Sequence, residues 1–196
     1  MFYGCTALTT CSALPATTIG SYCYSYMFYG CTHLTTVPQT LPATSLATYC
    51  YSYMFNNCTA LTTAPTLPAT SLATYCYQYM FKGCTSLTAC PALPATTLQN
   101  YCYRQMFYGC TSITESPILR AATVSTYAYN NMFNGCTRLA TITCLATNVA
   151  ASNCVTDWVK NVAATGTFYK DSSMSSWATG TSGIPSGWTT TNYSES

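Results

Sequence analysis

Charged residues are scarce in this 196-residue chain. It holds six Lys and Arg, four Asp and Glu, and one His, so charged residues form 5% of the chain, against about 25% in an average soluble domain. General acid–base catalysis and metal ligation depend on such groups. The composition therefore argues against an enzyme and against a metal or other cofactor. The net charge of +2 includes no basic run, which argues against a nucleic-acid partner.

Long apolar runs are also missing, although 49% of the residues are hydrophobic. No stretch approaches the ~20 apolar residues of a membrane-spanning helix, so we expect no membrane span in this chain. Its polar character comes from hydroxyl groups, because the chain holds 37 Thr and 18 Tyr. We therefore expect a neutral surface rich in Thr and Tyr.

One motif recurs through most of the sequence. The pattern Met-Phe-x-Gly/Asn-Cys occurs six times at spacings of 26 or 27 residues, and the copies end at Cys5, Cys31, Cys58, Cys84, Cys110 and Cys136. Self-similarity at such a period is typical of a solenoid, in which each repeat packs on its neighbours. Aligning the copies on one another gives columns whose variation can be interpreted physically.

Two columns predict a short helix in each repeat. The first holds only residues that cap helix N-termini, namely Ser21, Thr48, Thr74, Asn100, Thr126 and Ser152. The second follows nine positions later and holds residues that tolerate a left-handed backbone, namely Gly4, Gly30, Asn57, Gly83, Gly109 and Gly135. Between them fits a two-turn helix such as residues 22–29. Its buried face would carry Cys23, Tyr24, Met27 and Phe28. The variable columns of Ser25 and Tyr29 would face water.

A second segment of each repeat predicts a short parallel strand. LeuThrThr begins at positions 8, 34 and 61, and variants of it begin at 87, 113 and 139. A strand and a short helix in a unit of this length follow the leucine-rich-repeat plan. The sequence thus predicts an α/β leucine-rich-repeat solenoid of six repeats over residues 1–160, followed by a C-terminal cap and tail over 161–196. Within the latter we expect an extended segment at 166–170, a covering segment at 172–188 and a loose end at 190–196.

The motif Met-Phe-x-Gly-Cys-Thr-x-Leu-Thr resembles the BspA-like leucine-rich repeats of many bacterial surface proteins, over about residues 1–160. Met-Phe and Leu-Pro-Ala-Thr stand here where the commoner family pattern has Ala-Phe and Ile-Pro. The resemblance implies a surface-exposed adhesion or ligand-binding module, and related repeats also occur in phage tail proteins. It implies a location on a cell surface, on a virion or outside the cell, and it carries over no catalytic residue.

The fourteen cysteines mostly follow the repeat. Eleven lie in two columns, one after the predicted helix and one inside it, and Ala128 replaces Cys once in the second. Cys11 and Cys90 share a column with Val37 and Ala64. Replacement by apolar residues favours free, buried thiols that pack as small hydrophobic groups. Disulfides and, less strongly, zinc ligation are alternative interpretations.

Aromatic and basic residues on the variable columns define a candidate binding surface. Its members are Tyr26, Tyr29, Tyr53, Tyr79, Arg104, Tyr108, His33 and Arg138. Tyr gives a large contact area at low entropic cost, so this surface is predicted to bind a glycan or a protein. The alternatives are that the tyrosines fill gaps between repeats and that His33 is an ordinary surface residue.

The N-terminus suggests a structural role instead. Met1 occupies the Met column in the middle of a repeat, so we expect further repeats or a leader upstream. An uncapped first coil would favour self-association through the N-terminal end. The alternative function is therefore a structural spacer or a fibre-forming solenoid.

Overall fold

The structure is a computed structural model that describes residues 1–174 and 177–195. Its successive coils stack into a solenoid with a parallel four-stranded sheet near the C-terminal end. The strands are β1 (Glu115–Leu119), β2 (Thr141–Cys144), β3 (Thr167–Lys170) and β4 (Thr189–Asn192), in the order β1-β2-β3-β4. The described residues contain no α-helix.

The segment that was predicted to be a helix is a ribbon of consecutive turns. In residues 20–31, alternate amides donate to the carbonyl three residues earlier, as Met27 N does to Tyr24 O. The amides between them donate to the next coil, as Tyr24 N does to Cys50 O at 2.8 Å. This pattern recurs in residues 47–58, 73–84, 99–110 and 125–136. These five segments are called the turn ribbons below.

The helix prediction is therefore wrong, and the backbone gives the reason. Tyr22, Tyr26 and Gly30 have φ angles of 60°, 56° and 70°, so every fourth residue is left-handed, which a right-handed helix does not accommodate. A two-turn helix is marginal by itself. The ribbon instead uses half of its amides to bond one coil to the next. Helix and ribbon both repeat about every four residues, so the columns alone could not separate them.

The left-handed column was predicted correctly. Gly30, Gly83 and Gly109 have φ angles of 70°, 73° and 71°, and Asn57 adopts 58°. The proposed solvent face was wrong, because Ser52, Gln78 and Asn130 in the variable column are buried. More exposed side chains occupy left-handed positions of the ribbons, such as those of Tyr22 and Tyr26.

The predicted strands form fully only in the last coils. Earlier coils have isolated parallel bridges, such as Thr10 with Thr36 and Thr40 with Thr66. Proline occupies the middle of this segment at Pro38, Pro65 and Pro91, and it cannot donate to a ladder. Pro117 lies within β1, at the edge of the sheet, where the β1–β2 register shifts. β2 lacks proline and pairs with β3 in continuous register.

The core consists of stacked columns of identical residues. The largest are a phenylalanine column and an inner tyrosine column, comprising Phe28, Phe55, Phe81, Phe107, Phe133, Tyr51, Tyr77, Tyr103 and Tyr129, all fully buried. Adjacent rings in the phenylalanine column lie 5.6–5.7 Å apart between centroids. The cysteine columns lie in the interior, as predicted: ten of the fourteen cysteines are buried, and all fourteen are free thiols.

The C-terminal segment covers residues 151–161, which repeat the turn pattern after the five turn ribbons and are called the last ribbon below. Trp158 is fully buried, and its indole nitrogen donates to Gly183 O at 2.9 Å. The amides of Val159 and Asp157 donate to Thr181 O and Ser182 Oγ. Residues 181–183 thus satisfy donors that would otherwise point at a further coil.

The extended segment at 166–170 was predicted correctly and forms β3. The expectation of a loose end at 190–196 is wrong for residues 190–192, because β4 pairs in register with β3. Trp188 anchors β4 by donating from its indole nitrogen to Ala163 O at 2.8 Å. The sheet includes β2, which precedes the predicted boundary at residue 160, and β3 and β4, which follow it. Residues 175 and 176 of the predicted covering segment, and residue 196, lie outside the described residues.

Candidate functional site

A first tyrosine ladder runs along the turn ribbons. Its members occupy the position that follows the predicted N-cap column, and they are Tyr22, Tyr49, Tyr75, Tyr101 and Tyr127. Consecutive rings are stacked with centroids 4.4–4.8 Å apart. The rings therefore cover one another's faces and leave their edges and hydroxyl groups at the surface.

A second tyrosine ladder lies four residues further along each ribbon. It comprises Tyr26, Tyr53 and Tyr79, whose adjacent ring centroids are 4.4 Å apart. Gln105 occupies the next position in this column, so the ladder ends at Tyr79. The side of the Tyr79 ring that faces away from Tyr53 is thus left without an aromatic neighbour in its column.

All eight ladder tyrosines have a left-handed backbone. Their φ angles lie between 55° and 61°. This conformation costs roughly 1–2 kcal/mol per residue for side chains other than Gly, with Asn and Asp affected less. Stacking contributes about 0.5–1.5 kcal/mol of stabilising free energy per aromatic pair. Strained backbone positions of this kind concentrate at functional sites, which makes the ladders the leading candidate surface.

Two basic side chains lie where the second ladder ends. The Arg104 guanidinium carbon is 5.5 Å from the centroid of the Tyr79 ring and 5.8 Å from that of Tyr101 and that of Tyr127. The Lys82 ammonium nitrogen is 5.3 Å from the Tyr79 centroid and 4.6 Å from that of Tyr108. All five distances fit cation–π contacts, and Arg104 links the two ladders.

Polar contacts also hold these two cations in place. Lys82 Nζ donates to Gln105 Oε1 at 3.0 Å, and Arg104 Nε donates to Asn130 Oδ1 at 3.4 Å. Partial burial lowers the pKa of Lys82, and the positive charge of Arg104 lowers it further. No Asp or Glu occurs in the five turn ribbons. Among the described residues, neither cation forms a salt bridge.

The structure brings together six of the eight residues predicted for the binding surface. Tyr29 stacks on Tyr3 at 4.8 Å and is tilted against Tyr26 and Tyr53. Tyr79, Arg104 and Tyr108 meet around Lys82, as described above.

The two remaining predicted residues lie apart. His33 is exposed, and its Nδ1 atom lies 2.8 Å from Thr6 O. Arg138 is exposed on the corresponding position of a later coil. Among the described residues, no aromatic or cation–π contact joins either of them to the ladders.

Sequence reasoning missed the first tyrosine ladder and Lys82. Five consecutive copies have Tyr directly after the N-cap-type residue. A column of identical tyrosines indicates that the side chain has a role at this position. The helix prediction assigned that column no role of its own. Lys82 was assigned to a solvated column, although its ammonium group lies between aromatic rings.

Buried cysteine thiols of the described interior are poorly reactive. Burial raises the pKa of the Cys58, Cys102, Cys110 and Cys144 thiols to about 12, and thiols that stay protonated are poor nucleophiles. Among the described residues, no cluster of three His, Cys, Asp or Glu is arranged to hold a metal ion.

Comparison with known proteins identifies the repeat. A family model described as a BspA type leucine-rich repeat region matches residues 1–140 in six copies. No curated protein and no solved structure matches the chain. Across residues 1–174 and 177–195, no helix has the length and apolar character needed to cross a membrane.

Proposed function

The chain belongs to the BspA-type leucine-rich repeat family, and we propose that it is a non-enzymatic binding module of a surface, secreted or virion protein. It binds a glycan or a protein partner through the two tyrosine ladders. The observation that carries this proposal is the left-handed backbone shared by all eight ladder tyrosines. Asn or Gly would hold the same conformation at lower cost, so the repeated use of Tyr favours a role for the side chain.

The stacking geometry supports recognition by ring edges and hydroxyl groups. Within a ladder the ring faces are covered by their neighbours at 4.4–4.8 Å. A partner lying along the ribbons meets a row of phenolic hydroxyl groups and neighbouring Asn and Gln amides. Such groups donate and accept hydrogen bonds, and Tyr contributes contact area with few rotatable bonds.

A double variant tests this proposal. Tyr26→Asn with Tyr53→Asn removes two stacked rings and keeps a residue type that tolerates the left-handed backbone, as Asn131 does in the same column. Binding of the full chain is measured on immobilised dextran, polygalacturonate and dextran sulfate and on a panel of immobilised proteins. We expect the variant to lose most of the binding that the original chain shows.

Tyr193→Asn, outside the ribbons, is the matched control and should bind like the original chain. Thermal unfolding of all three proteins confirms that each is folded. If the double variant is folded and binds every surface as well as the original chain, the ladders are not the binding surface.

A structural role is the second candidate function. Met1, Phe2, Tyr3 and Tyr22 are exposed at the N-terminal end of the solenoid. Among the described residues, no amide donates to the carbonyl oxygens of Ser21, Cys23 or Ser25, which belong to the same ribbon face. These features support association of two copies through this face. Residues 181–183 cover the last ribbon at the other end, which favours a closed pair over an extended fibre.

A further inference from the structure

We infer that the end of the second ladder is a subsite for an acidic sugar residue, whose carboxylate or sulfate group lies between Lys82 and Arg104. This inference rests on the proposed function, because it names the ligand class for one part of the ladder surface. Its basis is the pairing of two cations against the Tyr79 ring, neither of which forms a salt bridge among the described residues.

The two cations are held ready for an anion. Each lies within 6 Å of the Tyr79 centroid and of at least one further tyrosine ring, so neither side chain moves freely in water. Ordered cations lose less conformational entropy when they bind a ligand. Because the two side chains carry like charges around one ring, an anion between them offsets a repulsion that the unbound protein carries.

The surrounding groups suit a sugar. Gln105 occupies the next ladder position, where its Oε1 atom accepts from Lys82 Nζ at 3.0 Å and its Nε2 atom lies 3.5 Å from the Tyr79 hydroxyl oxygen. An amide and a hydroxyl group therefore lie beside the two cations. A pyranose ring presents hydroxyl groups for these polar atoms and a C–H face for the aromatic ring.

An acidic peptide fits this surface less well. Extended peptides usually gain affinity by pairing their backbone with a free strand edge. From Tyr75 to Cys84 every amide already donates, either within the ribbon or to the next coil. Recognition at this place depends on side chains, which favours a ligand whose own polar groups are hydroxyls and a single acid.

The experiment compares three immobilised polysaccharides and one polypeptide. Polygalacturonate supplies carboxylates, dextran sulfate supplies sulfates, uncharged dextran supplies hydroxyl groups alone, and poly-glutamate supplies carboxylates on a peptide. Affinities of the full chain, Lys82→Gln, Arg104→Gln and the control Lys160→Gln are measured at low and high salt. Lys160 carries the same charge but lies at the capped end, paired with Asp157.

We expect binding to polygalacturonate or dextran sulfate that weakens about tenfold in Lys82→Gln and in Arg104→Gln, weakens with salt and stays unchanged in Lys160→Gln. The polymer that binds identifies carboxylate or sulfate as the ligand group. If uncharged dextran binds equally well and neither substitution weakens that binding, the inference is wrong. The proposed function still stands in that case if Tyr26→Asn with Tyr53→Asn abolishes the binding of dextran. Binding of poly-glutamate alone, or of no polyanion, would also overturn the inference.

Discussion

The Cys58 thiol donates a hydrogen bond to the carbonyl oxygen of Phe28, one coil earlier, with the sulfur 3.1 Å from the oxygen. The same contact joins Cys84 to Phe55, Cys110 to Phe81 and Cys136 to Phe107 at 3.0–3.1 Å. Each of these carbonyls also accepts an amide bond from its own turn. The cysteine column is therefore a set of polar contacts between coils as well as a packed column.

We predict that the thiols remain reduced and differ sharply in reactivity. Titration of the unfolded protein without reductant should find most of the fourteen groups free. In the folded protein, the exposed Cys5 and Cys23 should react much faster than buried thiols such as Cys58, because burial keeps the latter protonated. Six or more disulfides in the unfolded sample would contradict this prediction.

Stability should fall at alkaline pH. Burial raises the pKa of Cys58 and Cys110 to about 12, whereas an unfolded thiol has a pKa of about 8.5. Between these values the folded chain holds more protons than the unfolded chain, so the free energy of unfolding decreases as pH rises. The urea midpoint should be level below about pH 8 and drop above about pH 9.

The control for this pH dependence is Cys58→Ala with Cys110→Ala. Removing two of the responsible groups should make the alkaline decrease less steep, even if the variant is less stable at neutral pH. A midpoint that stays constant to pH 10 in the original chain would show that the thiols titrate normally.

The Gly83→Val variant should be much less stable than Lys82→Ala. Gly83 has a φ angle of 73°, and a Cβ atom there would collide with Asn57 Oδ1. Strain from a β-branched residue in this conformation costs about 2 kcal/mol or more, which corresponds to a melting temperature lower by roughly 4–8 °C. Lys82→Ala leaves the backbone unstrained. Equal melting temperatures would contradict the left-handed assignment.

The sequence predicted the solenoid and its interior because those features depend on burial, which the columns record directly. Phe28 and Cys58 do not vary in type between copies, since each packs on an identical residue. The ribbon could not be predicted, because hydrogen bonds between coils decide it. Tyr22 and Tyr26 are spaced as on a helix face, and nothing in the amino-acid sequence indicates that both adopt a left-handed backbone. Lys82 was missed for the same reason, since its aromatic neighbours come from the ribbon geometry.

Gln105→Tyr should stabilise the fold and weaken binding of acidic sugars. A tyrosine at this position extends the second ladder onto Tyr79, and one added aromatic stack contributes about 0.5–1.5 kcal/mol. The new ring would take the place of the Gln105 amide beside Lys82 and Tyr79, where the acidic group is proposed to bind. We expect a higher urea midpoint together with weaker binding of polygalacturonate or dextran sulfate. Gln105→Asn, which adds no ring and suits the φ angle of 51°, serves as the control and should retain binding.

The last prediction concerns self-association. Phe2 ends the stacked phenylalanine column, with its ring 5.7 Å from Phe28 on one side and 41% of its surface exposed. Covering such apolar surface with the same face of a second copy is favourable. Sedimentation should therefore show a monomer–dimer equilibrium that shifts with concentration.

Phe2→Lys should shift this equilibrium to the monomer, because two copies would then bring like charges together on an apolar face. Thr181→Lys places the same charge on the segment that covers the last ribbon, and it should leave the equilibrium unchanged. Since that segment already accepts from the amides of Asp157 and Val159, it occupies the place that a further copy would take, and the dimer should not grow. Species larger than a dimer, or dissociation caused by Thr181→Lys, would place the contact at the other end of the solenoid.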